Sequence, residues 1–127
     1  MNNTESNIHF EEIPHGDVVV LRITDKRLDN HRAPAFKAHL LKITEAYHRI
    51  VVNLEQVTFV DSSGLGSLLF GRRLVEEQKG DLKLCYPQRR VTSLLHISQL
   101  DKVFEIYPNE KAAVESFGKN QKKNSKD

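Results

Sequence analysis

The sequence lacks several features that mark specialised classes of protein. Its 127 residues include no tryptophan, one methionine and a single cysteine, Cys85. One cysteine cannot form an internal disulfide, and Cys85 stands in an apolar run, so we expect a small buried side chain. No apolar run is long enough to cross a bilayer. Residues 1–7 are polar, carry no secretion signal and are predicted to be disordered. The sequence therefore predicts a cytoplasmic protein without a membrane partner.

The chain also lacks the basic surface expected of a nucleic-acid binder. Its formal net charge is +2, but residues 119–127 hold four lysines and one aspartate, a net +3. Residues 1–118 therefore carry a net charge of −1, which argues against a nucleic-acid partner. The tail at 119–127 has no apolar content and is predicted to be disordered. We favour a solubilising end over a docking arm for this tail.

The remaining composition predicts one folded domain, which we place at residues 8–118. Hydrophobic residues make up 39% of the chain and charged residues 28%, as in globular proteins. Segments 8–13 and 18–23 are separated by a short turn and predict an antiparallel hairpin. The apolar segments 50–54 and 82–86 alternate with helical patterns, which predicts parallel strands joined by right-handed crossovers.

Helices and a last short strand complete the predicted architecture. A short strand is predicted at 103–106. Four helices are predicted: Pro34 to about Tyr47, 63–79 ending at Gly80, 88–97, and a final helix capped by Asn109. The fold class is therefore α/β, with a mixed, mostly parallel sheet of four to five strands and about four helices.

The segment from Thr58 to Gly66 joins a short apolar strand end to the second helix. Asp61, Ser62 and Ser63 stand where this helix begins, and their side-chain oxygens can accept hydrogen bonds from the free amides of its first turn. Ser63 is the predicted cap. The same free amides and the helix dipole favour an anion such as phosphate. The residues alone leave two interpretations open: a capped helix with no further role, which is the commoner case, or a modification site.

The predicted second helix has two different faces on a helical wheel. Gly64 lies on the face that packs against the sheet. The opposite face combines two leucines with charged residues and lies on the side of Ser62; its members are Leu65, Gly66, Leu69, Arg72, Arg73 and Glu76. Apolar residues rimmed by charges are typical of a protein interface, although single exposed leucines are common and need no function.

The run Asp61-Ser62-Ser63-Gly64-Leu65-Gly66, preceded by the apolar segments 50–54 and 57–60, resembles the STAS domain of bacterial anti-sigma factor antagonists. The resemblance covers about residues 18–117 and implies the STAS fold. It implies that an anti-sigma factor with serine-kinase activity phosphorylates Ser62, the serine directly after the aspartate. The unphosphorylated protein would bind this kinase and free a sigma factor, which regulates transcription by partner switching. A separate serine phosphatase would reset Ser62.

The resemblance also implies roles for individual residues. Asp61, Ser63 and Gly64 would support the phosphorylation site, Asp61 by fixing the serine and the loop, by assisting the hydroxyl, or as a plain N-cap. Asp29 matches an aspartate in an early loop beside the serine; kinase docking and a solvated loop carboxylate are both open for it. The expected partner-binding residues are Asp29, Leu65, Gly66, Leu69, Arg72, Arg73 and Glu76. ATP and magnesium would belong to the kinase, so we expect no cofactor, no metal and no catalytic residue in this chain.

Three other interpretations concern an enzyme, a metal site and a different regulatory target. A serine hydrolase would need a Gly-x-Ser-x-Gly elbow and a histidine base, and the sequence offers neither around Ser62. His31, His39 and His48 are scattered, and no histidine or cysteine pair has the spacing of metal ligands. A STAS regulator whose final target is not a sigma factor remains open.

Overall fold

The structure, a computed structural model, describes residues 7–126, with side chains described through residue 118. In chain order the strands are β1 (Phe10–His15), β2 (Val18–Ile23), β3 (Arg27–Leu28), β4 (Arg49–Asn53), β5 (Phe59–Val60), β6 (Asp81–Cys85) and β7 (Ile106–Tyr107). The helices are α1 (Ala33–Ile43), α2 (Ser62–Glu76), α3 (Arg89–Ile97) and α4 (Glu110–Lys126).

Both ends of the chain extend beyond the residues that the structure describes. Residues 1–6 and 127, for which disorder was predicted, lie outside the described residues. The predicted domain boundary at residue 118 falls inside α4. The predicted disorder of 119–126 stays a prediction, since the side chains of these residues are not described. Among the described residues, no helix is both long enough and apolar enough to cross a membrane.

A five-stranded sheet forms the centre of the fold, with the strand order β1-β2-β4-β6-β7. β1 is antiparallel to β2, whereas β2–β4, β4–β6 and β6–β7 are parallel pairs. In the middle of the sheet, Val51 lies opposite Val20 on one side and Lys83 on the other. The predicted mixed, mostly parallel sheet with four helices is confirmed. The last strand is two residues long and begins at Ile106, later than predicted.

Both faces of the sheet are covered, which explains why its central strands are almost continuously apolar. On one face, α1, α2 and α3 contribute Phe36, Leu68 and Leu95 to the larger core cluster. On the other face, α4 contributes Ala113 and Phe117 to a smaller cluster. That smaller cluster also contains Cys85, which is fully buried as predicted.

A second, two-stranded parallel sheet forms beside the main one, from strands β3 and β5. β3 pairs with β5, with Leu28 opposite Val60. Leu28, the one apolar side chain between Thr24 and Arg32, is fully buried. The carbonyl oxygen of Lys26 accepts hydrogen bonds from the amides of Thr58 and Phe59 at 2.8 and 3.2 Å. This pairing holds the early loop against the segment that leads into α2.

Two helix ends differ from the predictions. α1 ends at Ile43, four residues before Tyr47, and tighter turn bonds follow, such as Glu45 N to Lys42 O at 3.1 Å. After α2 it is Lys79, and not Gly80, that has a positive φ, of 65°. A Cβ atom on Gly80 would lie 1.8 Å from the carbonyl oxygen of His48. Gly80 therefore allows close packing at this turn, which periodicity alone does not reveal.

Candidate functional site

The helix α2 begins at Ser62 and is capped by Asp61. Asp61 has an extended backbone, with φ −107° and ψ −173°, and its Oδ1 accepts a hydrogen bond from the Gly64 amide at 2.9 Å. The Asp61 carbonyl accepts from the Leu65 amide at 2.9 Å. The prediction that Ser63 is the cap is wrong, because Ser63 already lies inside the first helical turn. Asp61 is the residue with the extended geometry that an N-cap requires.

Asp61 also connects α2 to the early loop. Its second carboxylate oxygen, Oδ2, accepts a hydrogen bond from the Asn30 amide at 3.0 Å. Each oxygen of Asp61 is thus held by a backbone amide from a different segment, and the carboxylate has a fixed position and orientation. The geometry shows the capping role for Asp61 and, beyond it, a link between the loop and the helix.

Ser62 occupies the first position of α2 and is exposed to solvent. Within the described residues, its Oγ makes no hydrogen bond, and the amides of Ser62 and Ser63 have no acceptor. Unpaired amides at this end of a helix carry partial positive charge and are suited to an anion. The site therefore offers a free hydroxyl next to unpaired amides.

Gly64 allows the loop and the helix to lie this close together. A Cβ atom on Gly64 would lie 2.1 Å from the carbonyl oxygen of Leu28, well inside van der Waals contact. Gly66 is different, since a Cβ atom there would meet nothing within 4 Å. The first glycine is required by the packing of this chain, whereas the second is not.

The outward face of α2 is narrower than predicted. Leu65 was expected on this face, but it is only 9% exposed and belongs to the larger core cluster. Leu69 is partly buried and packs against the same cluster. The wheel assumed that α2 packs on one side only, whereas α2 contacts α1, β5 and β6. The buried arc therefore extends to Leu65.

Arg72 lies on the same side of α2 as Leu65, about 20° away around the helix axis, and it too is directed toward the protein. Its guanidinium group pairs with Glu76 at 2.8 Å and with Asp81 of β6 at 3.3 Å. Arg72 thus ties α2 to the sheet and is only partly exposed, and its expected role in partner binding stays a prediction. Burial raises the pKa of the Asp81 carboxyl, against the opposing effects of the Leu82 amide and Arg72.

What remains outward is a single line of residues, which we call the α2 stripe. Arg73 and Glu76 are exposed, as expected, and Gly66 and Leu69 are partly exposed. Together with Ser62 they follow one another at helical spacing along the solvent side of α2. The α2 stripe consists of Ser62, Gly66, Leu69, Arg73 and Glu76. Its apolar content is smaller than the sequence suggested.

Asp29 is buried, so it is not the solvated loop carboxylate that was one of its two open interpretations; the other, a contribution to kinase docking, stays a prediction. It is 4% exposed, and it accepts hydrogen bonds from Arg27 Nε at 3.1 Å and from Arg32 Nη1 at 3.3 Å. The His31 amide donates to it as well, at 3.2 Å. Burial opposes ionisation, but the hydrogen bonds from Arg27 and Arg32 outweigh it, so the pKa of Asp29 lies below its usual value. Asp29 therefore stabilises the conformation of the loop through hydrogen bonds within it.

Sequence reasoning missed three contributors to this site. Arg27 and Arg32 neutralise Asp29, and the Asn30 amide reaches Asp61. A single apolar residue, Leu28, within a polar run was the one signal in the sequence that this loop is anchored. The contact between Asn30 and Asp61 confirms the expectation that the early loop lies beside the segment that contains Ser62.

Two alternatives find no support in the described part of the chain. Within the described residues, two histidine rings form hydrogen bonds with a carboxylate: His9 with Asp25, and His96 with Asp101. Neither ring is hydrogen-bonded to Ser62, so the nucleophile–base pair of a serine hydrolase is not formed. Within residues 7–126, no group of three or more metal-ligating side chains is placed to hold a metal ion.

The comparisons with known proteins agree with this arrangement. The family model of the STAS domain matches residues 10–113. The anti-sigma F factor antagonist of Paenibacillus polymyxa is 32% identical over 109 residues, which cover 82% of this chain and 90% of that protein. The chain belongs to the STAS-domain anti-sigma factor antagonist family.

Solved structures show the same fold. A putative anti-sigma factor antagonist from Thermotoga maritima superposes with a TM-score of 0.79 at 27% identity, over 84% of this chain and 92% of that one. The phosphorylated form of the Bacillus cell fate determinant SpoIIAA superposes with a TM-score of 0.68 at 25% identity, over 86% of this chain and 99% of that one. A relative with this fold is therefore known in a phosphorylated form.

Proposed function

We propose that this protein is an anti-sigma factor antagonist that binds an anti-sigma factor with serine-kinase activity and is switched off when that kinase phosphorylates Ser62. The observation that carries the proposal is the exposed Ser62 hydroxyl, free of intramolecular hydrogen bonds, at the amino end of α2. The similarity to a protein known in a phosphorylated form supports it. In this scheme the chain is a regulator and not an enzyme.

Ser62 suits phosphoryl transfer because hydrogen bonds and close packing position the backbone around it while its own hydroxyl is free. Asp61 fixes the backbone just before it, and Gly64 lets the next turn pack against Leu28. The kinase would supply ATP, magnesium and the catalytic base. The free amides of Ser62 and Ser63 and the helix dipole would then stabilise the product phosphate, so the fold need not rearrange.

Release of the kinase would follow from local charge and solvation. A phosphate on Ser62 adds about −1.5 to −2 charges and three strongly hydrated oxygens at one end of the α2 stripe. Within a contact face these oxygens hold water that binding must remove, and they repel an acidic partner surface. A loss of about 3 kcal/mol weakens binding more than a hundred-fold, which is sufficient to exchange partners. A serine phosphatase would restore the binding form.

The test uses kinases encoded in the same genome, incubated with the full chain, ATP and magnesium, and mass spectrometry to locate the phosphate. We expect phosphate on Ser62 in the wild type and none in Ser62→Ala, while Ser63→Ala remains a substrate. In equilibrium binding, Ser62→Ala should bind the kinase as tightly as the wild type, and Ser62→Asp should bind it more weakly. Phosphate on Ser63 alone, or equal affinity of all three forms, contradicts the proposal.

The final target is tested with the same purified protein and kinase, together with a sigma factor. Adding the unphosphorylated protein to a preformed complex of the kinase and a sigma factor should release the sigma factor. If Ser62 is phosphorylated but no sigma factor is displaced, the chain is a partner-switching regulator of another target. This result would support phosphorylation of Ser62 as the switch and would contradict a sigma factor as the final target.

A further inference from the structure

A second surface lies between β5 and α3, outside the α2 stripe. It is an open groove of about 280 Å³. Its lining is mainly apolar and includes Phe59, Val60, Leu94 and Ile97. Ile97 is 77% exposed, more than any other large hydrophobic side chain among the described residues. A lone exposed isoleucine needs no explanation, but here it borders a concave apolar surface.

The amino end of α3 supplies positive charge next to this groove. Arg89 and Arg90 are the first two residues of α3, and neither forms an ion pair within the described part of the chain. α3 contains no acidic residue, and its first turn has no side-chain cap. Two arginines at the positive end of a helix dipole are unfavourable for the isolated fold. An anionic group from outside would relieve this repulsion.

The apolar and the basic parts form one continuous surface. Arg90 lines the groove, and a second open cavity beside it is lined by both Arg89 and Arg90. Thr58 and Ser93 belong to both cavities. An apolar groove with unpaired cations at one end is complementary to a segment that carries bulky apolar side chains and carboxylates.

We propose that this groove binds an acidic amphipathic helix of a partner protein. The apolar face of that helix covers Phe59, Leu94 and Ile97, and its carboxylates pair with Arg89 and Arg90. Phe59 and Val60 directly precede Asp61, so a partner bound here is held beside Ser62. The groove goes beyond the proposed function, because it supplies an attachment point separate from the α2 stripe and requires no phosphate on Ser62.

The proposal is tested by titrating the isotope-labelled full chain with a synthetic peptide and recording amide chemical shifts. The probe is a helix of about four turns, with leucines on one face and glutamates elsewhere; the matched control peptide has lysine in place of every glutamate. We expect shifts at Phe59, Leu94 and Ile97, and an affinity at least about ten-fold higher for the glutamate peptide.

Variants separate the two parts of the surface. Arg89→Glu combined with Arg90→Glu should weaken binding of the glutamate peptide about ten-fold or more. Ile97→Asp should also weaken it, and this side chain is too exposed for the change to unfold the chain. Lys42→Glu is the matched control, because it reverses a charge at an exposed position on α1 outside the groove. It should leave binding of the glutamate peptide unchanged.

Three results would overturn the proposal. The first is equal binding of the lysine and glutamate peptides, and the second is a set of shifts confined to other surfaces. The third is tighter binding of a single-stranded oligothymidylate at Arg89 and Arg90, which would assign the surface to nucleic acid. A failed phosphorylation test at Ser62 would leave this proposal intact, and failure here would leave the Ser62 switch intact.

Discussion

The carbonyl oxygen of Leu28 lies 2.1 Å from the position that a Cβ atom on Gly64 would take. Gly66, two residues further along the same helix, has open space at the corresponding position. Glycine lowers helix stability by about 1 kcal/mol relative to alanine. This cost has a packing reason at Gly64 and none within the chain at Gly66. The difference points to close approach by another molecule at Gly66, in the middle of the α2 stripe.

Alanine substitutions at these two glycines should therefore have opposite effects on stability. Gly64→Ala should lower the free energy of unfolding by about 1–3 kcal/mol, because the new methyl group meets backbone that cannot move aside. Gly66→Ala should raise it by up to about 1 kcal/mol. Urea unfolding followed by circular dichroism measures both changes.

Measuring the affinity of Gly66→Ala for the kinase then shows whether Gly66 is needed for contact with the partner. Gly66→Ala should bind the kinase more weakly than the wild type although it is more stable. If Gly66→Ala binds with full affinity, the partner does not approach this part of α2, and the α2 stripe is not the contact face.

Asparagine at position 61 should keep part of the hydrogen bonding that Asp61 provides, whereas alanine should keep none of it. Loss of an N-cap costs about 1 kcal/mol, and Asp61→Ala also leaves the Asn30 amide without its acceptor. Asparagine is a good cap, but it has one acceptor oxygen where aspartate has two. Asp61→Asn should therefore protect one of the two amides, Gly64 or Asn30, from hydrogen exchange. Asp61→Ala should protect neither.

Hydrogen exchange measured by nuclear magnetic resonance checks this prediction. Unchanged protection of both amides in Asp61→Ala would show that other contacts hold the loop against α2. Phosphorylation of the same variants gives a second measurement. Slower phosphorylation of Asp61→Ala than of Asp61→Asn is expected if a fixed loop helps present Ser62 to the kinase.

The parts of the fold that could be predicted from the sequence are those fixed by long apolar patterns. All residues of the runs at 18–23, 50–54 and 82–86 are buried except Arg22 and Tyr86, so their assignment as central strands did not depend on detailed packing. Leu65 and Arg72 are both less exposed than the helical wheel predicted, since a wheel cannot show that α2 has neighbours on more than one side. The burial of Asp29 was not predicted because it depends on arginines that only the folded loop brings together.

The burial of Asp29 predicts a specific dependence of stability on pH. Its pKa is lower in the folded state than in the unfolded chain. The stabilisation is therefore fully present above the unfolded pKa, which is about 3.9, and is lost as the pH falls through the folded value. At pH 7, Asp29→Asn should lower the free energy of unfolding by about 2 kcal/mol, since hydrogen bonds between charged groups are lost from a buried position.

Below about pH 4 the difference between Asp29→Asn and the wild type should shrink, because the wild-type carboxyl is then increasingly protonated. Urea unfolding at a series of pH values measures this. Asp17→Asn is the control, since Asp17 pairs with Arg49 at an exposed position, where such pairs contribute less than about 1 kcal/mol. A difference for Asp29→Asn that stays constant down to the lowest pH would show that its charge does not stabilise the fold.

Cys85 should report on the attachment of α4 to the sheet. Cys85 is fully buried beneath α4, and burial raises the pKa of its thiol to about 12. A thiol reacts as the thiolate, so native protein at pH 8 should scarcely react with iodoacetamide, whereas the protein in urea should react readily. Native reaction therefore measures how often α4 opens.

The amino end of α4 is fastened by Glu110, which accepts hydrogen bonds from Arg22 at 2.9 and 3.0 Å and from the Asn53 amide group. Glu110→Ala removes these contacts and leaves Arg22 and Asn53 short of a partner, so alkylation of Cys85 in native buffer should accelerate about ten-fold or more, as expected for a loss of about 1.5–3 kcal/mol. Glu12→Ala, at an exposed position on β1, should leave the rate unchanged. Rapid native alkylation of the wild type would mean that α4 does not cover this face of the sheet in solution.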